Sequence, residues 1–162
     1  MANVIPPRSG DFGWDYKGCP HTGGGVAWSG APRELMHAVV WTGAKSLEGL
    51  HYLRSSDQGR SWSVPHRVGS PQGRRADIAA SDQGAIAIAW DQLEGSGRVV
   101  YTMVSRDGGQ RWLKPTRVSS ERGDALYPRV MATRAGFLIA WTESESGGRV
   151  MLSTHVLPVS TQ

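Results

Sequence analysis

Carboxylates and arginines recur close together in this chain of 162 residues. DQLEGSG carries Asp91 and Glu94, and TESESGG carries Glu143 and Glu145. GSPQGRR supplies Arg74 and Arg75, and SSERGDALYP supplies Glu121, Asp124 and Tyr127. Asp77 and Arg129 follow a few residues further on. Two carboxylates at a suitable separation can hydrolyse a glycosidic bond, one as acid and the other as base or nucleophile. Arginine forks can hold a ligand carboxylate in two parallel hydrogen bonds, or can be spent on Asp77 or Asp124 within the protein. A third cluster lies in SGDFGWDYKGCPHTGGG, with Trp14, Tyr16, Cys19 and His21. Its aromatic rings suit stacking on a sugar or covering an exposed surface. Cys19-Pro-His21 has the spacing of a metal pair, but two ligands alone are a weak signal, and a turn with a local histidine hydrogen bond reads better. No metal or cofactor is expected.

The elements that position these groups repeat. LMHAVVW ends at Trp41, AIAIAW at Trp90 and FLIAW at Trp141, with spacings of 49 and 51 residues. Each is followed by a second strand-like run, GLHYLRSS, RVVYTMVSR or RVMLSTHV. WSVPHRVGS and WLKPTRVSS then align residue for residue, and RRADIAAS and YPRVMATR, more loosely GGGVAWSG, precede the tryptophan segments. Four short strands per unit of about 50 residues is the pattern of a β-propeller blade. The runs are too short and too often broken by glycine for helical repeats. The expected fold is all-β, with three blades of four antiparallel strands at roughly 22–68, 72–118 and 125–157, forming a single domain over 1–162.

Between the third and fourth strands stand SSDQGRSW at 55–62 and SRDGGQRW at 105–112, both S-x-D-x-G-x-x-W. Asp57 and Asp107 are expected to accept hydrogen bonds from backbone N–H groups two residues on, and Gly59 and Gly109 to supply positive φ. Ser55 and Ser105 tie down the start of each loop, while Trp62 and Trp112 begin the fourth strand and tuck beneath the hairpin. These eight residues read as structural. The pattern resembles the Asp-box, or BNR repeat, of the sialidase-like β-propellers, over residues 20–157. The resemblance implies the fold far more than an activity, since such boxes also occur in sorting receptors, other glycosidases and assembly factors.

Propellers close with about 4–8 blades, and this chain holds three. Its opening NVIPPRSGD aligns with SVPHRVGS and LKPTRVSS, Pro6 with Pro65 and Pro115, Arg8 with Arg67 and Arg117. Residues 1–9 therefore read as a fourth strand without a blade, and the third unit as a blade lacking one. The expectation is a homodimer, in which two sets of three blades close a six-bladed ring and exchange that strand. The alternative is a fragment of a longer propeller.

In a four-stranded meander the 2–3 and 4–1 loops share the face opposite the octapeptides, and the resemblance implies that this face holds the ligand. The ligand-face candidates are Trp14, Tyr16, His21, Arg75, Asp77, Asp91, Glu94, Tyr127, Arg129 and Glu143, with a long loop over 10–25. Sialidases are similar to one another in an R-I-P motif near the start of the propeller, and none occurs here. The reading is a non-catalytic or uncharacterised propeller that binds a ligand or partner on this face, with a glycan or small acidic group as the candidate ligand. An exo-sialidase type of glycoside hydrolase and a purely structural assembly module are the alternatives. Net charge is +4, carried by 15 arginines and three lysines that are scattered, not clustered, so nucleic acid is not an expected partner. No run approaches the roughly 18 apolar residues of a membrane helix, and MANVIPPRSGDFG lacks the apolar stretch of a signal peptide, so neither a membrane nor a leader is expected.

Overall fold

The computed structural model describes residues 24–30, 34–120, 124–144 and 148–158. The expected strand at 1–9 and most of the 10–25 loop, with Trp14, Tyr16, Cys19 and His21, lie outside the described residues.

Among the described residues eleven strands form three antiparallel sheets, each a meander. The first holds β1 (Gly25–Ser29), β2 (Leu35–Thr42), β3 (Gly49–Ser55) and β4 (His66–Val68), in that spatial order. The second holds β5 (Gly73–Ala80), β6 (Ile86–Glu94), β7 (Gly97–Ser105) and β8 (Thr116–Arg117). The third has three strands, β9 (Asp124–Thr133), β10 (Gly136–Ser144) and β11 (Val150–Pro158). β5 packs between β1 and β9, so the first strands of successive sheets line one axis and the sheets stack as blades around it. No helix is long and apolar enough to cross a membrane among the described residues.

Alternation along β6 explains why both of its faces are buried. Ile86, Ile88 and Trp90 point to the first blade, where they meet Val39, Leu50, Tyr52 and Val68. Ala87 and Ala89 point the other way, and their small side chains admit Phe137, Ile139 and Trp141 of the third blade. Large faces small across the second interface, which lets the side chains of the two sheets interdigitate. A strand covered on both sides reads as the continuous apolar run AIAIAW rather than as apolar–polar alternation.

The two octapeptides fold alike. Ser55 Oγ accepts from Asp57 N (3.3 Å) and Gly59 N (2.8 Å) and donates to Asp57 Oδ1 (2.8 Å). Ser105 repeats this scheme with Asp107 and Gly109 at 3.4, 2.9 and 2.9 Å. The aspartates reach further than expected: Asp57 Oδ1 accepts from Ser61 N, four residues on, and Asp107 Oδ1 from Gln110 N and Arg111 N. The serine, rather than the aspartate, makes the bond two residues on. Gly59 and Gly109 have φ of +82° and +80°, as the turn requires. Trp62 and Trp112 precede the fourth strands, which start at His66 and Thr116. Trp62 Nε1 donates to Gly59 O at 3.1 Å, beneath its own hairpin. Trp112 instead sets its ring edge-on to Tyr52 of the first blade, with centroids 4.8 Å apart.

Candidate functional site

The 2–3 hairpins and the 4–1 connections gather on one face, away from the octapeptide turns. On this face the innermost strands of the second and third blades each carry a β-bulge. In β5 the register slips between Arg74 and Asp77, so Arg75 and Ala76 together oppose Trp90. In β9, Tyr127 and Pro128 together oppose Trp141 in the same way. The bulge falls opposite the repeated tryptophan in both blades. Its first residue is left-handed each time, Arg75 at φ +44° and Tyr127 at φ +55°. Glycine is the ordinary occupant of such a bulge position. A large side chain there costs on the order of 1–3 kcal/mol, a kind of strain that collects at functional sites.

The bulges bring the two strained side chains together. The Arg75 guanidinium carbon lies 4.7 Å from the centroid of the Tyr127 ring, a cation–π contact between blades. Beneath the pair is Asp91, fully buried. Its Oδ2 lies 3.2 Å from Arg75 Nε and accepts from Tyr127 N at 3.2 Å. Its Oδ1 accepts from Arg98 Nε at 2.6 Å. Burial pushes the Asp91 carboxyl above its ordinary range, while Arg98 and then Arg75 pull it back down. Arg98 also donates through its backbone N to Asp124 Oδ1 at 2.6 Å, joining the 2–3 hairpin of the second blade to the start of β9. Closer to the axis, Asp77 Oδ2 accepts from Val130 N at 3.0 Å and lies 3.9 Å from Arg129 Nη1. The Arg129 side chain is 79% exposed and Tyr127 is 53% exposed. Together they offer solvent a cation and a ring.

Five of the sequence candidates thus pair on this face in two groups, Arg75 and Tyr127 over Asp91, and Arg129 with Asp77. Glu94 and Glu143 stand apart from them. Glu94 accepts from Tyr101 Oη at 2.8 Å and from Gln92 Nε2 at 2.9 Å, with Arg117 Nη1 at 3.7 Å. Glu143 is buried; its Oε2 accepts from Trp141 Nε1 at 3.1 Å, and Ser120 donates to its Oε1 through both N and Oγ. Burial raises its pKa, but hydrogen bonds from Ser120, Ser153 and Trp141 outweigh that and leave it below the ordinary value. Gln92 occupies the same place in the second blade, accepting from Trp90 Nε1 at 3.1 Å and Ser70 Oγ at 3.3 Å. Sequence reasoning missed this clamp, and missed Arg98. The clamp had a signal in the second and third repeats: glutamine or glutamate two residues after Trp90 and Trp141, and serine two residues after Val68 and Val118. Arg98 had none, because its partner Asp91 lies across a hairpin whose register depends on the turn at Gly95.

No family model matches the sequence, and no curated protein matches it. Solved structures do match in fold. A Hadza microbial sialidase, Hz136, superposes with a TM-score of 0.59 at 14% identity, over 81% of this chain and 34% of that one. A protein of unknown function from Dyadobacter fermentans DSM 18053 gives 0.63 at 12% identity, over 83% and 38%. The Penicillium chrysogenum α-L-arabinanase complexed with arabinobiose gives 0.57 at 12% identity, over 88% and 50%. The fold is that of a sialidase-like β-propeller. The chain spans half or less of the length of these three proteins, so it carries part of such a propeller.

Proposed function

We propose that this chain is a non-catalytic propeller unit that binds a saccharide or a small acidic group on its 2–3/4–1 face, at Arg75, Tyr127 and Arg129. The strained pair carries the reading. Two adjacent blades tolerate left-handed backbone at a bulge that glycine would fill without strain, and they use it to stack an arginine on a tyrosine at the axial surface. Such a pair offers a ring face to a sugar, and Arg129 offers a cation beside it. The solved structures similar in fold include a sialidase and an arabinanase holding arabinobiose, which makes saccharides the first ligands to try.

Catalysis by two carboxylates needs one free to give up its proton and another free to attack or to activate water. Among the described residues of this face, Asp91 is bound by two arginines, Asp77 by Val130 N, and Glu143 by Ser120 and Trp141. These three acids are committed to structural bonds, which favours binding over hydrolysis. A screen of sialylated and arabinose-containing oligosaccharides by melting temperature tests the reading, since a ligand that binds only the folded state raises it. A hit weakened in Arg129→Ala is expected. Turnover of a fluorogenic sialoside, abolished in Arg129→Ala, would instead make the chain an exo-sialidase. A screen in which nothing shifts the melting temperature points to a structural assembly module.

The same reading takes the three blades as half of a ring closed by a second copy of the chain. It is supported by the flank of the third blade. Among the described residues β11 pairs with β10 alone, and Val150, Leu152 and Val156 on one of its faces are exposed.

A further inference from the structure

A second concavity lies away from the axis, on the rim between the first and second blades. It runs from Ser70 and Gln92 on the 2–3/4–1 face to Gln110 within the second octapeptide, as an open groove of about 760 Å³. That is within the range of roughly 300–1,000 Å³ typical of small-ligand sites. Its floor is aromatic. Trp90 and Tyr101 stack with centroids 5.8 Å apart and 20° between planes, and Trp112 and His66 stack at 6.4 Å and 12°. Among the described residues the lining holds three permanent cations, Arg67, Arg111 and Lys114, and no carboxylate. Arg67 is occupied, donating to Glu48 O at 2.6 Å. Arg111 and Lys114 are exposed, and neither forms an ion pair among the described residues.

Trp112 adds an independent sign. Its counterpart Trp62 satisfies its indole N–H on Gly59 O. The Trp112 ring has left its hairpin to line the groove, and its buried Nε1 has no hydrogen-bond partner among the described residues. An unmet buried donor costs about 1–3 kcal/mol, so the second octapeptide departs from the first at an energetic cost, at the point where the groove forms.

From these features we infer that the rim groove is a binding site for an acidic saccharide chain bearing carboxylates. Trp90 is itself fully buried, so Tyr101 and His66, the more exposed ring of each stack, suit the apolar faces of successive sugars, Gln92, Gln110 and Ser70 suit their hydroxyls, and Arg111 and Lys114 suit the carboxylates. This site is separate from the axial one and does not depend on it.

The test is titration calorimetry on the intact chain with a tetragalacturonate, which carries a carboxylate on every ring, beside neutral maltotetraose. The tetragalacturonate is expected to bind and maltotetraose to bind at least about tenfold more weakly. The double variant Arg111→Ala/Lys114→Ala is expected to lose about tenfold in affinity, and His66→Ala to weaken binding further through the ring stack. Two exposed arginines elsewhere, changed together as Arg60→Ala/Arg134→Ala, control for general cationic attraction and are expected to leave binding within about twofold. Arg129→Ala, which tests the axial site, is expected to do the same. Absence of tetragalacturonate binding, equal binding of maltotetraose, or equal loss in the two double variants overturns the inference. So does a loss confined to Arg129→Ala, which would place the ligand at the axis.

Discussion

At the residue scale, buried polar groups in this protein are held in chains that fix their protonation. Ser29 Oγ lies 2.7 Å from His37 Nε2, and His37 Nδ1 lies 2.8 Å from Tyr52 Oη, all within the first blade and all buried. Burial, with help from Arg54, lowers the His37 pKa from 6.5 to about 4, so the folded protein keeps the ring neutral where the unfolded chain protonates it. Between pH 4 and 6.5 the unfolded state binds the extra proton, and stability must fall as pH drops through that window. The shift corresponds to on the order of 3 kcal/mol, fully present above pH 6.5. Denaturation midpoints measured from pH 7 to pH 4 are expected to decline, and His37→Gln to flatten most of that decline. His51, also lowered by burial, adds to the decline in the same direction. An unchanged slope in His37→Gln would show that its ring is not held neutral. Tyr127 poses the converse question of strain against contact. Tyr127→Gly removes the ring and relaxes the left-handed backbone, whereas Tyr127→Ala removes the ring and keeps the strain. The glycine variant is expected to be the more stable by about 1 kcal/mol while both lose ligand. Equal stabilities would mean that the bulge is not strained.

At the element scale, each octapeptide is one design used against two surroundings. A Cβ on Gly59 would meet nothing nearer than Trp62 at 3.6 Å, but a Cβ on Gly109 would fall 1.8 Å from Tyr52 Oη. Gly59→Ala is therefore expected to cost only the positive-φ penalty, about 1–2 kcal/mol. Gly109→Ala adds a clash between blades and displaces the Tyr52–His37 bond, so its loss is expected to exceed that of Gly59→Ala by at least about 2 kcal/mol in urea unfolding. Equal losses would mean that the blades do not pack as closely as Tyr52 requires. The difference marks where the sequence stops being legible. Strand alternation, the repeated tryptophans and the octapeptides are local patterns, and they announced three sheets, their order and the face where Arg75 and Tyr127 sit. What meets across the blades is non-local. Nothing near Gly109 names Tyr52, and nothing near Asp91 says that Arg75 and Arg98 converge on it from either side. The bulges were hidden for the same reason: an Arg and a Tyr hold the left-handed position in which a glycine would have advertised the turn.

At the scale of the whole molecule, the stacking of blades leaves two flanks. On the third blade Val150, Leu152 and Val156 share one face of β11, Met131 lies on the same side of β9, and Leu152 is 77% exposed. On the first blade Val26 and Trp28 of β1 are exposed. Apolar rows of this kind beside a strand edge promote association, and three blades fall short of the about 4–8 at which rings close. A twofold pairing would set the flank of each third blade against the first blade of the other copy, in two equivalent interfaces. Light scattering on the eluting protein is then expected to give twice the monomer mass of 17.5 kDa. Leu152→Asp, a change at an exposed position that leaves the described core untouched, is expected to shift the species toward monomer with its circular dichroism unchanged. A wild-type monomer at tens of micromolar rules out closure by a second copy and makes the three blades a fragment of a longer propeller or an open wedge. A dimer would also settle stoichiometry, because the symmetry places two Arg75–Tyr127 pairs and two Arg129 side chains around one axis. Two ligands per dimer would mean that each half binds alone. One would mean that the ligand sits on the axis and that the site exists only when the ring is closed.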